Sequence, residues 1–316
     1  MPAHFNIRIV IISRRVLMAI KRKTKEISAY DSNLVRKPLQ KYAWVFLVPT
    51  VIAFSIGFVW PFLWGLYLSL FNFRTLSFKE FVGIDNFISA FSDASFRNSF
   101  VFTSAYTVVT VILINVIAFL IALALTRGIR GATAFRTVFF MPNLIGGIVL
   151  GYIWQLIING VALSLNSADP PLINLNSTTG FIGLVVLMCW QQIGYMMIIY
   201  IAGLQNVPGE YIEAAKIDGA GWWQILRHIT IPTVMPSITI CTFLTLTNSF
   251  KLFDQNLALT NGEPGGATEM LALNIYKTFY GDGAMRGIGQ AKAVIFFAVV
   301  VIIALAQLYF TRKKEA

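Results

Sequence analysis

Three observations predict an all-α, polytopic membrane protein with six transmembrane helices. Of 316 residues, 57% are hydrophobic and only 12% are charged, and the mean hydropathy is +0.70. Soluble domains carry about 25% charged residues, so a chain with half that charge is hard to keep folded in water. Six apolar stretches are each long enough to cross a bilayer core, which takes about 20 helical residues. The basic residues gather at the ends of those stretches, as orientation signals do.

The expected spans cover residues 43–70, 99–126, 137–159, 180–204, 232–250 and 293–311. The first follows ten basic residues between Arg8 and Lys41 and contains Pro49 and Pro61. The second runs from Ser99 to Thr126 without a charge, and the third starts past Arg136 and includes Pro142. The fourth, from Gly180 to Leu204, is again free of charge. The fifth opens at Pro232, includes Pro236 and ends before Lys251, and the sixth lies between Lys292 and Arg312. Helix is the open-chain solution in lipid, because each segment must pair its own backbone groups. The prolines mark kinks or helix starts.

Lys and Arg set the orientation. The N-terminal tail, the loop with Arg127, Arg130 and Arg136, the loop with Lys216 and Arg227, and the end with Arg312, Lys313 and Lys314 hold eighteen together. The other side holds six, namely Arg74, Lys79, Arg97, Lys277, Arg286 and Lys292. Both termini are therefore expected in the cytoplasm. The organisation expected is a basic cytoplasmic tail over 1–42, a membrane domain over 43–312 with a cytoplasmic loop over 205–231, and a short tail over 313–316. No secretory leader is expected, since Arg8 and Arg14 interrupt the first apolar run; a start at Met18 is the alternative.

Several chemistries are excluded. Cys189 and Cys241 lie in apolar runs and His4 and His228 are far apart, so neither a disulfide framework nor a CxxC or His-rich metal site can be built. No Gly-Lys dipeptide occurs, so there is no phosphate loop of the GxxxxGK[ST] kind. No HExxH, paired intramembrane carboxylates or Ser/His/Asp set argues for an enzyme. The net charge of +11 is an orientation signal and not a nucleic-acid footprint.

The loop from Val207 to Pro232 is the most informative segment. Pro208 suits the first turn of a helix, Glu210 and Glu213 sit near its positive end, and Ala214 and Ala215 give it a flat surface. Gly219 supplies a stop at positive φ. An amphipathic helix with Trp222, Ile225, Leu226 and Ile229 follows before Pro232. The result is a helix–Gly–helix knob suited to docking in a groove of another protein.

Glu213-Ala214-Ala215-Lys-Ile-Asp218-Gly219-Ala, with Ile229-x-x-Pro232 after it, resembles the "EAA" signature of permease subunits of bacterial binding-protein-dependent ABC importers. The resemblance covers nearly all of 40–312. It implies the type I permease fold with a cytoplasmic coupling helix that enters a cleft of the ATPase, carried here by Glu213, Ala214, Ala215, Asp218, Gly219 and Pro232. Phe253-Asp-x-x-Leu-Ala-Leu-Thr260 through Pro264-Gly-Gly is similar to a segment of sugar permeases, departing at Glu263, and Trp44 to Phe73 is similar to the larger, MalF-type half of the carbohydrate subfamily. The resemblance implies a second, MalG-type permease subunit, two cytoplasmic ATPase subunits that hold the ATP and Mg, an extracytoplasmic solute-binding protein, and no cofactor on this chain. Location in the bacterial cytoplasmic (inner) membrane follows.

Polar residues inside spans are costly and face a cavity or another helix. Gln191, Gln192 and Tyr195 fall together in the fourth span, and Thr245, Asn248 and Ser249 fall at i, i+3 and i+4 in the fifth. Uncharged amides and hydroxyls suit a sugar or polyol. The resembled maltose-type subunit lines its cavity at these positions; helix–helix hydrogen bonding is the other reading. Trp154, Gln155 and Asn143 are weaker candidates. Lys251 and Asp254 are either a local ion pair or a gate. The competing function is a stand-alone secondary transporter or channel for a small neutral solute, which leaves the coupling loop unexplained.

Overall fold

The computed structural model describes residues 42–73, 80–165, 171–281 and 285–315, with side chains as far as Tyr309. The basic tail before Tyr42, together with Arg74 and Lys79, lies outside the described residues. The chain divides into two units, 1–64 and 65–316.

Within the chain the first helix, α1, runs Tyr42–Leu68. It carries a π-helical turn at Ser55–Val59, just ahead of Pro61. Proline lacks the N–H that would bond four residues back and its ring crowds that carbonyl, and a wider turn absorbs the mismatch. In the first unit Trp44, Phe46, Phe54 and Trp60 are all exposed, which is the surface a helix offers to lipid.

The second unit contains a two-residue hairpin pairing β1 (Phe71–Asn72) with β2 (Glu80–Phe81). Helices α2 (Asp85–Ser92), α3 (Ala94–Leu125), α4 (Ala132–Phe140), α5 (Gly147–Leu165) and α6 (Ser177–Gln205) follow. Then come α7 (Gly209–Ile217), α8 (Trp222–Thr233), α9 (Met235–Phe250), α10 (Asp254–Leu259), α11 (Leu271–Tyr280) and α12 (Arg286–Glu315).

The long helices α3 and α6 pack side by side, and α9 packs on both. Their shared core is apolar, with Tyr106, Ile114, Leu184, Met188, Met196 and Tyr200 buried. Polar contacts pin its register. The Tyr200 hydroxyl donates to Asn115 Oδ1 (2.7 Å), Asn115 Nδ2 donates to Thr245 Oγ1 (2.8 Å), and Thr110 Oγ1 donates to Ser249 Oγ (2.9 Å). Such bonds have no water to compete with them at this depth.

Three spans differ from their expected form. The stretch 137–159 is divided among α4, a 3-10 turn at Met141–Leu144 with Pro142 in it, and α5. Pro142 ends the first helix, and α4 lies instead against α6, where Gly194 leaves room: a Cβ there would stand 1.8 Å from the Phe139 carbonyl oxygen. The fifth span starts at Met235, with Pro236 in its first turn, and joins α8 at a bend of 70°. Pro232 therefore belongs to the preceding helix, after a π-helical turn at Leu226–Thr230. The sixth helix begins at Arg286, because the charge of Lys292 is neutralised inside the fold and does not stop it.

The short helix α10 lies against α5. Gly147 and Gly151, one turn apart, make that approach possible: a Cβ at Gly147 would meet Asp254 Cβ at 2.8 Å, and one at Gly151 would meet Ala258 Cβ at 2.5 Å. This is the small-residue packing by which membrane helices approach closely.

Candidate functional site

A cavity of ≈ 480 Å³ opens where α6, the end of α9, the 251–255 segment and the start of α5 meet. Its lining includes Asn143, Gln191, Gln192, Asn248, Lys251 and Asp254. Three of the six residues expected in a substrate site therefore reach it: Gln191, Gln192 and Asn248.

Their states differ. Gln191 is 6% exposed and committed to the wall, its Nε2 donating to the Ile145 carbonyl (3.1 Å) and its Oε1 accepting from Gln255 Nε2 (2.7 Å). Gln192 Oε1 is enclosed and has no hydrogen-bond partner. An unpaired buried acceptor costs about 1–3 kcal/mol, and this oxygen is closed off from the cavity, so the side chain must turn before it can meet a ligand hydroxyl. Asn248 adds a second amide to the same cavity.

Tyr195, Thr245 and Ser249 do not line it. Thr245 and Ser249 are fully buried and bonded to Asn115 and Thr110 of α3. They sit one turn apart and face α3, whereas Asn248 faces the cavity. Tyr195 packs against the core, its ring 6.5 Å from that of Phe140. Gln155 donates to the Leu259 carbonyl (2.9 Å) and Trp154 pairs with Trp190, so neither joins the site.

Lys251 and Asp254 both line the cavity, and they form no ion pair with each other among the described residues. The chain leaves α9 at Lys251 and re-enters helix at Asp254, which separates the two side chains that a continuous helix would have stacked. Phe253 and Gln255 complete this wall; they lie past the end of the fifth apolar stretch, in the segment similar to sugar permeases, but neither was expected in the site.

The expected coupling segment forms as a helix, a stop and a second helix. Pro208 is the N-cap of α7, one residue ahead of its expected place. Gly219 has φ +80°, and Ala220 N–H bonds back to the Ala215 carbonyl (2.9 Å), closing the helix as a left-handed cap requires. Gln224 Oε1 then accepts from Gly221 N–H (2.7 Å) to start α8. Glu213, Ala214, Asp218 and Gly219 are exposed and Ala215 is half-buried. Ile217 is 86% and Trp223 72% exposed, so the knob presents apolar surface that no described residue of this chain covers. Pro232 is exposed at the far end of α8 and does not join this surface.

A charged network that the sequence did not signal ties α3, α11 and α12. Lys292 Nζ, almost wholly buried, donates to Asp93 Oδ2 (2.6 Å), Asn274 Oδ1 (2.9 Å) and Thr278 Oγ1 (2.8 Å). Asn274 Nδ2 in turn donates to Glu269 Oε1 (2.7 Å), and Glu269 pairs with Lys277 (2.8 Å). Burial opposes ionisation of Asp93, but the hydrogen bond and charge of Lys292, with the N–H groups of Ser95 and Phe96, hold its carboxyl below the usual range. The signal available was Lys292 itself, an ionisable residue beside an apolar run, which the sequence reading placed as a flank.

Residues 127–315 match the family of binding-protein-dependent transport system inner membrane components. This chain belongs to that family. It is 43% identical over 276 residues to a probable starch degradation products transport system permease of Thermoanaerobacterium thermosulfurigenes, covering 86% of this chain and 94% of that one. It is 30% identical to the multiple sugar-binding transport system permease MsmF of Streptococcus mutans, over 89% and 99% of the two chains. It is 32% identical to the sn-glycerol-3-phosphate transport system permease UgpA of Brucella abortus, over 85% and 94%. In fold it is similar to a chain of the crystal structure of a bacterial ABC transporter involved in import of the acidic polysaccharide alginate. There the TM-score is 0.75 at 20% identity, over 88% of this chain and 98% of that one. The protein is thus a multi-pass inner-membrane permease subunit with the fold of ABC importer permeases, and its work is transport.

Proposed function

We propose that this permease subunit passes a neutral sugar, oligosaccharide or related polyol, delivered by an extracytoplasmic solute-binding protein, through the cavity at Gln192 and Asn248. The observation that carries this reading is the gathering of five amide residues, Asn143, Gln191, Gln192, Asn248 and Gln255, on one cavity. Amides and carbonyls offer both donors and acceptors, which is what a hydroxylated ligand needs. Lys251 and Asp254 bring one charge of each sign to the lining, so the cavity has no net preference for an anion. The names of the relatives, which include starch products and multiple sugars, agree with this class.

Two ATPase subunits, holding ATP and Mg, dock from the cytoplasm on the α7 knob, through Glu213, Ala214, Ala215, Asp218 and Gly219. Both termini and the knob face the cytoplasm in this arrangement. Arg127 and Lys216, assigned to one side by charge, gather at the end of the molecule where Arg127 lies 5.6 Å from the Trp222 ring. Lys277 and Lys292 gather in the network with Asp93, as residues of the opposite side should. A second, MalG-type permease subunit supplies the other half of the pathway. ATP-driven closure of the partner moves the knob, and through α8 it moves α9, which carries Asn248.

The test is uptake by liposomes holding this chain with its sister permease, ATPase and binding protein. Gln192→Leu and Asn248→Leu should raise the concentration needed for half-maximal uptake while assembly is preserved. Unchanged uptake kinetics in both variants would remove the cavity from the pathway.

A further inference from the structure

A second cavity, of ≈ 420 Å³, lies at the ends of α3 and α6, roofed by α7 and α8. Its floor is apolar, with Leu123 and Leu204 from the last turns of two long apolar helices, and Ile212 of α7 lines it from the roof. Two charged groups line it, Arg127 and Lys216, and both are cations. No carboxylate is among its described lining residues, and neither cation has an ion pair among the described residues. The Arg127 guanidinium lies over the Trp222 ring at 5.6 Å, which fixes the charge at the rim beside an indole, a ring that favours the membrane–water boundary.

We infer that this cavity binds the phosphate headgroup of an anionic phospholipid of the inner leaflet. The inference rests on the orientation proposed above. Apolar walls that continue from the spans, with two unpaired cations and a tryptophan at the rim, match the division of such a lipid into acyl chain and phosphate. The ATPase does not compete for the place. Ile212 and Lys216 are one turn apart and line the cavity, whereas Ala214 and Ile217 lie on the other side of α7, where Ile217 is 86% exposed. One face of α7 is thus left for the partner protein and the other for lipid, so that the lipid seats the coupling helix against the ends of α3 and α6.

The test uses the full chain in neutral detergent, with dioleoyl phosphatidylglycerol or dioleoyl phosphatidylcholine added and retention read by native mass spectrometry. The wild-type chain should retain the anionic lipid preferentially. The double variant R127Q/K216Q should lose that preference by about tenfold or more, while R127K/K216R keeps most of it. Equal retention by wild type and R127Q/K216Q overturns the assignment. Displacement of phosphatidylglycerol by millimolar inorganic phosphate also overturns it, in favour of a soluble anion, and so does its loss when the ATPase subunit is added. The readout needs neither uptake nor ATP turnover, so its failure leaves the coupling reading standing. The orientation is checked separately by labelling Ile217→Cys with a membrane-impermeant thiol reagent from each side.

Discussion

The two ends of the helical bundle are finished in different ways. At one end Asp93, Glu269, Asn274, Lys277 and Lys292 satisfy one another, and every charged group in that set has a partner. At the other end Glu213, Lys216 and Asp218 have no ion pair among the described residues, and Ile217 and Trp223 stand in the open. A closed network holds helices in one arrangement. An unfinished surface gains its stabilisation only when something docks. Under the function proposed above, the fixed frame of the permease lies at the Lys292 end and its receiving surface at the α7 end.

The largest expected effect tests the receiving surface. Gly219→Asp should cut ATP-dependent uptake to background while the amount of protein in the membrane stays the same. No heavy atom lies within 4 Å of a Cβ at Gly219, so the variant's own cost is backbone strain at φ +80°, about 1–2 kcal/mol. Glu213→Lys should act in the same direction without that strain. Normal transport by both variants would make the α7 surface a bystander.

Next in size is the closed end. Lys292→Met strands the Asp93 carboxylate and two neutral acceptors, and should lower stability by about 3 kcal/mol in a thermal or denaturant titration. A melting profile like that of the wild type would show that the frame is held elsewhere. Smaller still, Gln192→Leu should raise the half-saturating ligand concentration about tenfold through loss of one ligand hydrogen bond. Thr245→Val should leave that concentration alone and cost about 1 kcal/mol of stability, since its partners are Asn115 and the Cys241 carbonyl. The smallest effect is on pH. Asp93 has a lowered pKa, so its pairing contributes in full above the ordinary carboxylate value of 3.8 and is lost as pH falls below it. The Lys292→Met variant should lack this acid-side decline.

The sequence foretold the fold best where apolar length was uninterrupted, as in α3 and α6. It expected the third span at 137–159 where α5 runs Gly147–Leu165, because hydropathy alone cannot tell the start of a span from a short helix lying on another helix, as α4 with Phe139 and Phe140 does. It foretold half of the cavity. Thr245, Asn248 and Ser249 were grouped by spacing, but 245 and 249 repeat after one full turn while 248 points elsewhere, and the polar side chains of α3 decided which way they turned. Of the wall from Lys251 to Gln255 the sequence offered only Lys251 and Asp254, as an ion pair or a gate; the rest depends on a tertiary contact with α5.

That contact has a further consequence. Gly147 and Gly151 let α10 lie so close on α5 that a side chain at either position would have to displace Asp254 or Ala258. A larger residue at either glycine should therefore part α5 from α10 and shift the Lys251–Gln255 wall with them. The form of that wall thus hangs on two positions that carry no side chain, and its polarity on the amides in front of them.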